Sequence, residues 1–332
     1  MNKTSTLTGK KVVVTGAAGF IGSHLTEKLL ATGAQVTVLV RYNSRSEIGW
    51  LKQCAENKNL KIVSGDIRDP FLVRNLLEGA DTVFHLAALI AIPFSYVAPQ
   101  SYVETNINGT LNVLEAAKTH KLGKIILTST SEVYGTALKV PIDEDHPLQA
   151  QSPYSASKIA ADMMGKAYAC SFDLPVVIVR PFNTYGPRQS LRAVIPAIIR
   201  QALDSHQVRL GDLRPVRDFN FVGDTVNGFI AAAASNYCKG EIFNLATGSS
   251  VSIGETVELI GKLMTKELEI VHEDQRARPK DSEVMVLRGN SDKARTLLGW
   301  QPEHSLEQGL KQTIDWLEKN RHEYLQPQKF HC

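Results

Sequence analysis

The sequence predicts an α/β protein built on a doubly wound, mostly parallel Rossmann sheet, with a smaller, mostly α-helical C-terminal lobe. Two observations predict the sheet: a strand, a glycine turn, a helix and a strand follow one another near the N-terminus, and strands alternate with helices as far as residue 180. Shorter, mixed segments after that point predict the lobe. We expect one domain over residues 1–180, to which residues 226–248 return, and a lobe formed by residues 181–225 and 249–332.

The composition is that of an ordinary globular protein, with 43% hydrophobic and 21% charged residues among 332. A net charge of +3 without a basic tract argues against a nucleic-acid partner or an anionic membrane surface. No apolar run approaches the ~20 residues of a membrane span, and the N-terminus lacks the apolar core of a signal peptide. Four widely spaced cysteines without a CxxC pair predict reduced thiols, a cytoplasmic location and no metal site.

The first strand and helix have the pattern of a dinucleotide-binding turn. A β-branched strand over residues 11–15 runs into GAAGFIG, a helix follows, and residues 35–40 form the next apolar strand. Gly16 permits the tight turn, Gly19 lets the backbone approach a pyrophosphate, and the helix N-terminus offers N–H groups and a positive dipole end. The alternative is a glycine-rich turn without a ligand. The predicted cofactor contacts here are Gly16, Gly19, Phe20, Ile21 and Gly22.

The end of the second strand bears on the choice between NAD and NADP. A carboxylate at this position usually accepts hydrogen bonds from the adenosine ribose of NAD, but this chain continues with VRYN over residues 40–43 and has no acid there. Arg41, together with Arg45, can instead pair with a 2′-phosphate. This favours NADP over NAD. The alternative is that both arginines are solvated loop residues.

The next two strands and the helix after them complete the predicted cofactor site. The strand in LKIVSGDIRD ends in an acid and an isoleucine suited to an adenine edge and face, and small residues end the strand in DTVFHLAAL. We interpret His85 in the latter strand as a packed residue. The segment ETNINGTLNVLEAAK reads as one long helix. The predicted cofactor contacts in this region are Asp66, Ile67, Ala87, Ala88 and Asn106.

A catalytic pair is predicted in YSASK, after an apolar strand, KIILTST, that ends in hydroxyls. Tyr154 and Lys158 are four residues apart, so on a helix both side chains share one face. The Lys158 ammonium would lower the pKa of the Tyr154 phenol, which could then act as a general base and contact the cofactor. The alternative is a surface helix on which the same spacing arises by chance.

Several arginines in the second half are candidates for a substrate diphosphate, because guanidinium forks match phosphate oxygens. The segment PVVIVRPFNTYGPRQ contains a buried strand and then a loop with Asn183 and Arg188. Downstream lie Arg217 in RPVRDFNFVGDTV and Arg276 and Arg278 in RARPKDSE. The alternative is that these arginines are solvated.

These motifs, in this order, resemble the extended short-chain dehydrogenase/reductase family over nearly the whole chain. They are GxxGxxG, the hydroxyl-bearing strand, YxxxK, RPFNTYGP and RDFNFVGD. The resemblance implies a tightly held nicotinamide cofactor and a nucleotide-diphosphate sugar as substrate. It also implies that Tyr154 is the base, that Lys158 lowers its pKa, and that Thr130 holds the sugar 4-hydroxyl.

The same resemblance implies a homodimer, in which two helices pair across a two-fold axis into a four-helix bundle. Those helices start near Asn106 and Pro153, and they carry apolar residues beyond what one core needs: Leu111, Val113, Leu114, Ile159, Met163 and Met164.

Within the family, the residues that follow the catalytic hydroxyl separate the reactions. Galactose 4-epimerases have no acid two residues after it, whereas 4,6-dehydratases have Thr-Asp-Glu, or Thr-Ser-Glu in the GDP-mannose enzymes; here the residues are Thr130, Ser131 and Glu132. A ketone at C4 acidifies the C5 proton, which Glu132 would remove before the C6 hydroxyl leaves as water. Strand alternation would place Glu132 on the same face as Thr130. Ser131, a predicted substrate contact, argues against a dTDP-glucose substrate.

Longer stretches closely resemble the GDP-N-acetylglucosamine 4,6-dehydratases of legionaminic-acid synthesis. They are HLAALIAIPFSYVAPQSYVETNINGT, TSTSEVYGTA, PIDEDHPLQAQSPYSASKIAADMM and RPFNTYGPRQS. This implies GDP- or UDP-N-acetylglucosamine as the substrate and a role in surface-polysaccharide supply. One alternative is a nucleotide-sugar 4-epimerase, against which Glu132 speaks. Another is an NADP-binding regulatory protein without turnover, against which the set of Thr130, Tyr154 and Lys158 speaks.

Overall fold

Seven parallel strands form the central sheet of this computed structural model, which describes residues 7–237, 239–273 and 282–324. In chain order the strands of the molecule are β1 (Lys11–Thr15), β2 (Gln35–Arg41), β3 (Leu60–Gly65), β4 (Thr82–His85), β5 (Lys124–Thr128), β6 (Val176–Pro181), β7 (Asn183–Tyr185), β8 (Gln207–Leu210), β9 (Val216–Arg217), β10 (Phe219–Phe221), β11 (Glu241–Leu245), β12 (Val251–Ser252), β13 (Glu269–His272) and β14 (Val286–Leu287). The central sheet has the order β11-β6-β5-β4-β1-β2-β3. The chain direction across the sheet reverses between β1 and β4, which is where open α/β sheets bind ligands.

Helices cover both faces of this sheet, as the sequence predicts. They are α1 (Phe20–Ala31), α2 (Pro70–Leu76), α3 (Ile92–Val97), α4 (Pro99–Tyr102), α5 (Gly109–His120), α6 (Pro153–Phe172), α7 (Val194–Asp204), α8 (Val222–Ala234), α9 (Ile253–Met264) and α10 (Leu306–Lys319). Successive residues of β1 point to opposite faces: Val12 and Val14 pack with α1 and α8, and Val13 packs with α2 and α5. The doubly wound parallel sheet is therefore confirmed.

The long helix predicted from ETNINGTLNVLEAAK is interrupted. A π-helical segment, Val103–Asn108, lies between α4 and α5. It contains the buried side chain of Asn106, which bonds the backbone of Leu89 instead of extending a regular helix surface. Short π-helical segments inside a helix commonly mark functional regions.

The proposed dimer helices bury part of the apolar surface that the sequence assigns to an interface. Val113 and Leu114 on α5 are fully buried in the protein's own core, so they are not available to a partner. Met163 on α6 is 40% exposed. Leu111, Ile159 and Met164 are partly buried.

The remaining segments form the smaller lobe. Its helices α7, α9 and α10 pack together, and its strands are only two to four residues long. Asp218 lies at its junction with the sheet and accepts hydrogen bonds from the backbone N–H groups of Thr247, Gly248 and Gly289. Strand β11 pairs with β6, and α8 packs against α1. The division of the chain into a cofactor domain and a substrate lobe stays a prediction.

Within the described ranges, no helix is long and apolar enough to cross a membrane. Nor do three or more His, Cys, Asp or Glu side chains in those ranges come together in a way that could hold a metal ion.

Candidate active site

A cavity of about 800 Å³ opens at the carboxyl edge of the sheet, beyond the ends of the neighbouring strands β1 and β4. It brings together most of the residues that the sequence predicts for the site. Those that line it are Gly16, Gly19, Phe20, Ile21, Gly22, Arg41, Asp66, Ile67, Ala87, Ala88, Thr130, Ser131, Glu132, Tyr154, Lys158 and Asn183.

The glycine turn fits the pyrophosphate of a dinucleotide. Gly16 has a φ of +73°, and a Cβ on it would lie 2.7 Å from the backbone nitrogen of Ala87. A Cβ on Gly22 would lie 2.2 Å from the carbonyl oxygen of Gly16. Helix α1 starts at Gly19 without a side-chain cap, so the N–H groups of its first turn remain available to an anion. The turn therefore packs tightly at its base, and its three glycines present backbone to the cavity.

The end of the cavity beside β2 and β3 carries both positive and negative side chains. Asp66 follows β3, and the Arg68 guanidinium bonded to its carboxylate holds the pKa of Asp66 below its usual range. Arg41, the last residue of β2, is exposed and lines the cavity. Arg45 does not line it, and its Nη1 lies 3.8 Å from an Oε1 of Glu47.

Tyr154 and Lys158 lie one turn apart on α6, as the spacing predicts. A capping box between Ser152 and Ser155 and a proline at the first helical position fix the start of that helix. The side chains of Tyr154 and Lys158 are buried, and Nζ of Lys158 donates a 2.6 Å hydrogen bond to the carbonyl oxygen of Thr128 at the end of β5.

The electrostatics of this pair differ from the prediction. Burial raises the pKa of Tyr154 well above its ordinary value of 10, although hydrogen bonding by Thr130 lowers it in part. Burial also lowers the pKa of Lys158, against a smaller rise caused by Asp162. This burial outweighs any lowering of the Tyr154 pKa by Lys158, and it opposes loss of the phenol proton.

Glu132 reaches the cavity by a route other than the predicted strand. Strand β5 ends at Thr128, and Thr130 caps a 3₁₀ turn over Ser131–Tyr134 by accepting a 3.2 Å hydrogen bond from the N–H of Glu132. Thr130 and Glu132 therefore do not alternate along a strand, because the Thr130 hydroxyl starts a turn. Both still line the cavity, and Ser131 between them is buried.

A buried ion pair that sequence reasoning missed lies beneath these residues. Asp162 accepts hydrogen bonds from Oγ of Ser129 at 2.8 Å and from Nε of Arg180 at 3.0 Å. Nη1 of Arg180 also donates to the Tyr134 hydroxyl at 3.0 Å. Asp162 follows Lys158 by four residues, and this spacing was the one signal in the sequence. The pair fixes the end of β5, from which Thr130 projects.

His85 is a packed strand residue, as predicted, and it has partners. Its Nδ1 lies 2.8 Å from Oγ1 of Thr15, and its Nε2 lies 3.1 Å from Oγ1 of Thr110. The Thr110 hydroxyl donates to the carbonyl oxygen of Asn106, so it must accept from His85, which assigns the proton to Nε2. Burial lowers the pKa of His85 to about 3, and the ring is neutral near pH 7.

Asn106 does not line the cavity. Its side chain exchanges two hydrogen bonds with the backbone of Leu89, at 2.8 and 2.9 Å, and donates a third to Oγ of Ser157. Leu89 does line the cavity, so Asn106 supports the wall from behind. Its predicted direct contact with the cofactor has no counterpart in this arrangement.

The predicted substrate residues divide into two groups. Asn183 lines the cavity. Arg188 and Arg217 do not: Arg188 is bonded to Glu27 at 2.9 Å, and Arg217 to Glu283 at 2.8 Å. Arg276 and Arg278 lie outside the described residues. Among the lining residues that sequence reasoning missed are Ile90, Phe94, Thr184 and Gln189; the last two belong to the motif RPFNTYGPRQ.

Comparison with known proteins identifies relatives over nearly the whole length of this chain. A family model described as GDP-mannose 4,6 dehydratase matches residues 13–313. A dTDP-glucose 4,6-dehydratase of Actinoplanes sp. is 31% identical over 94% of this chain and 98% of its own length.

Two solved structures bear on the site. The DesIV double mutant, a dTDP-glucose 4,6-dehydratase from Streptomyces venezuelae with NAD and DAU bound, has a TM-score of 0.85 at 30% identity, covering 94% of this chain and 98% of that one. A UDP-N-acetylglucosamine 4-epimerase from Methanobrevibacter ruminantium, in complex with UDP-N-acetylmuramic acid, has a TM-score of 0.85 at 30% identity, covering 94% and 99%. The family match, the relatives and the cavity agree: the chain belongs to the nucleotide-sugar 4,6-dehydratase group of the extended short-chain dehydrogenase/reductase family.

Proposed function

We propose that this enzyme is an NAD(P)-dependent nucleotide-sugar 4,6-dehydratase, which converts an NDP-hexose to the 4-keto-6-deoxy sugar. The observation that carries the proposal is the presence of the Glu132 carboxylate in the cavity that Tyr154 and Lys158 also line. An oxidation at C4 would need only Tyr154, Lys158 and Thr130 among these side chains, with a nicotinamide as the hydride acceptor. The carboxylate adds the base that an elimination needs.

The glycine turn supports a bound nicotinamide dinucleotide. When bound, the nicotinamide supplies the redox chemistry, taking hydride from C4 and returning it to C6. Gly16, Gly19 and Gly22 would hold its pyrophosphate, and Asp66 and Ile67 its adenosine. Because the hydride returns, the overall change in the sugar is the loss of one water.

Tyr154 and Thr130 would act on the sugar 4-hydroxyl. Thr130 would hold that hydroxyl, and the Tyr154 oxygen would take its proton as C4 is oxidised. Lys158 is anchored by its 2.6 Å hydrogen bond to Thr128, so its ammonium would remain beside α6 and stabilise the phenolate. Burial of the phenol keeps water away from the proton transfer.

Glu132 would act at the adjacent carbons. The C4 ketone acidifies the C5 proton, and the Glu132 carboxylate would remove it. The C6–O bond breaks as the C5–C6 double bond forms, and the proton taken from C5 can leave with the C6 hydroxyl as water. Ser131, buried next to it, is a proposed substrate contact.

A nucleotide-sugar 4-epimerase is the second candidate, supported by the relative from Methanobrevibacter ruminantium. An epimerase removes no C5 proton, so Glu132 would have no task in it. Incubation with a panel of UDP-, GDP- and dTDP-linked hexoses, followed by mass measurement, separates the two. We expect the loss of one water from one of them; conversion at unchanged mass would favour the epimerase.

Five finer predictions belong to this proposal. GDP- or UDP-N-acetylglucosamine would be the substrate and legionaminic-acid synthesis the pathway, supported by the resemblance of the longer sequence stretches. NADP would bind at least as well as NAD, supported by Arg41 alone, since NAD is the cofactor named for DesIV. A homodimer is supported by the exposed Met163, and a cytoplasmic location by the composition.

A further inference from the structure

Gln189 lines the cavity that Tyr154 and Glu132 also line, and it belongs to the predicted substrate lobe. It follows the strand β7 and the turn at Gly186. The side chain therefore lies where a substrate bound between the sheet and the lobe would meet it.

The backbone around Gln189 is held on both sides. Its N–H donates to the carbonyl oxygen of Gly186 at 3.3 Å, and its own carbonyl accepts from the Tyr324 hydroxyl at 3.2 Å. The preceding residue, Arg188, has a φ of +70° and is anchored to Glu27 on α1 at 2.9 Å. The side chain of Gln189 thus starts from a fixed position.

The orientation of the Gln189 amide is also fixed. Its Nε2 donates a 2.9 Å hydrogen bond to the carbonyl oxygen of Thr184, which can only accept. A flipped amide would place two acceptors against each other, so Oε1 occupies the other position. There Oε1 is buried, and it has no hydrogen-bond partner within the described part of the chain.

A buried acceptor without a partner is costly, so this oxygen calls for a donor from a ligand. Diphosphate oxygens are acceptors at neutral pH and do not fit. Of the donors on a hexose, the 4-hydroxyl belongs to Tyr154 and the 6-hydroxyl leaves as water. The remaining ring donors are the 3-hydroxyl and the donor of the 2-substituent, which is a hydroxyl or an acetamido N–H.

We propose that Oε1 of Gln189 accepts a hydrogen bond from the 3-hydroxyl or the 2-substituent of the bound sugar, and that Gln189 is thereby a specificity-determining residue. This inference rests on the nucleotide-sugar activity proposed above. It predicts discrimination against sugars without that donor by about tenfold, because the amide oxygen is then left unpaired in the cavity.

The test measures the binding affinity of wild type and two variants for a set of substrate analogues, in the presence of NAD. The probes are UDP- and GDP-N-acetylglucosamine, their 3-deoxy analogues, and the 2-deoxy analogues without the acetamido group. Gln189→Met keeps the length of the side chain and removes the acceptor. Gln201→Met makes the same change at an amide that does not line the cavity, and it serves as the matched control.

We expect wild type to bind one analogue series about tenfold more weakly than the parent sugar. Gln189→Met should bind both alike, and Gln201→Met should keep the discrimination of wild type. A purely structural role would weaken all sugars equally and leave the ratio intact, and that result overturns the proposal. So does equal weakening of UDP and GDP without a sugar, or a wild type that binds neither parent sugar.

Binding and turnover separate this inference from the proposed function. Water loss from the parent sugar, measured by mass on wild type, tests the dehydratase. If the wild type discriminates and Gln189→Met does not, but no water is lost, the dehydratase reading fails while the role of Gln189 stands. If water is lost and Gln189→Met discriminates as wild type does, only the role of Gln189 fails.

Discussion

The carboxylate of Asp162 and the guanidinium of Arg180 form a hydrogen-bonded ion pair, 3.0 Å from Nε to Oδ2, in which both side chains are at most 2% exposed. Asp162 is on α6, the helix that carries Tyr154 and Lys158, and Arg180 is on β6. Since Asp162 also accepts a hydrogen bond from Ser129, the pair joins α6 and β6 to the residue that follows β5. Burial raises the pKa of Asp162, and the Arg180 charge opposes that rise.

Breaking this pair should destabilise the fold. Arg180→Met leaves the Asp162 carboxylate buried without its countercharge, so we expect a loss of about 3–5 kcal/mol in the free energy of unfolding. Denaturant unfolding of the cofactor-free protein measures it. The double variant Asp162→Leu/Arg180→Met removes both charges and should lose less than Arg180→Met alone. If the double variant is the less stable of the two, the cost lies in packing rather than in the unpaired charge.

The stability should also depend on pH through His85. Its pKa is lowered from 6.5 to about 3 in the folded protein, so between these values the unfolded chain binds more protons, and stability falls as the pH falls. From about pH 6 to about pH 5, we expect the loss from this group to be about 1 kcal/mol. His85→Gln should be less pH-dependent than wild type over that interval.

His24 provides a second, independent test of the same pH effect. Burial lowers its pKa to about 4, and its Nε2 lies 3.0 Å from the carbonyl oxygen of Pro187. His24→Gln should reduce the pH dependence by a similar amount. Equal pH slopes in wild type and His85→Gln would show that His85 becomes protonated without unfolding.

The central sheet and the glycine turn were predictable because their signals are local. Three consecutive valines in β1 pack into both faces of the sheet, and Gly16 needs its positive φ within a few residues of that strand. The partners of Arg188 and Arg217 were not predictable, because Glu27 is 161 residues away from the first and Glu283 is 66 residues away from the second. Guanidinium chemistry alone does not distinguish a phosphate partner from a distant carboxylate.

The segment that follows β5 was also only partly predictable, although its residues are adjacent in the sequence. The residue types Thr130, Ser131 and Glu132 were sufficient to predict that these three residues lie in one cavity. The choice between a strand and a turn depended on one hydrogen bond, from the Glu132 N–H to the Thr130 hydroxyl, which an alternation pattern does not encode. Gln189 was missed because its proposed role rests on a buried oxygen that has no hydrogen-bond partner among the described residues.

Arg41 should govern the choice between NADP and NAD. Arg41→Ala removes the cation at the end of β2, and we expect NADP affinity to fall on the order of tenfold while NAD affinity stays within about twofold, since only NADP carries a 2′-phosphate. Titration of both cofactors by calorimetry measures this. Arg45→Ala, which does not line the cavity, is the control. Equal affinities in Arg41→Ala and wild type would make Arg41 a solvated loop residue.

The exposed face of α6 should mediate self-association. We expect wild type to scatter light as a dimer at micromolar concentration, and Met163→Asp to shift it towards the monomer, because a charge would then be buried in the interface. Leu138→Asp introduces the same charge at another exposed apolar residue and should leave the dimer intact. A monomeric wild type would contradict the prediction.

Glu132 should separate oxidation from elimination. Glu132→Gln keeps the size of the side chain and its place in the 3₁₀ turn but removes the base for C5, and a positioned general base typically contributes about 10²–10⁴-fold in rate. We expect it to form little 4-keto-6-deoxy product, to accumulate the absorbance of reduced cofactor with substrate bound, and to lose exchange of the C5 hydrogen in deuterated water. Tyr154→Phe, the matched control, should block oxidation itself and accumulate no reduced cofactor. A Glu132→Gln variant that makes product at the wild-type rate would reduce Glu132 to a turn residue and remove the main local support for a dehydratase.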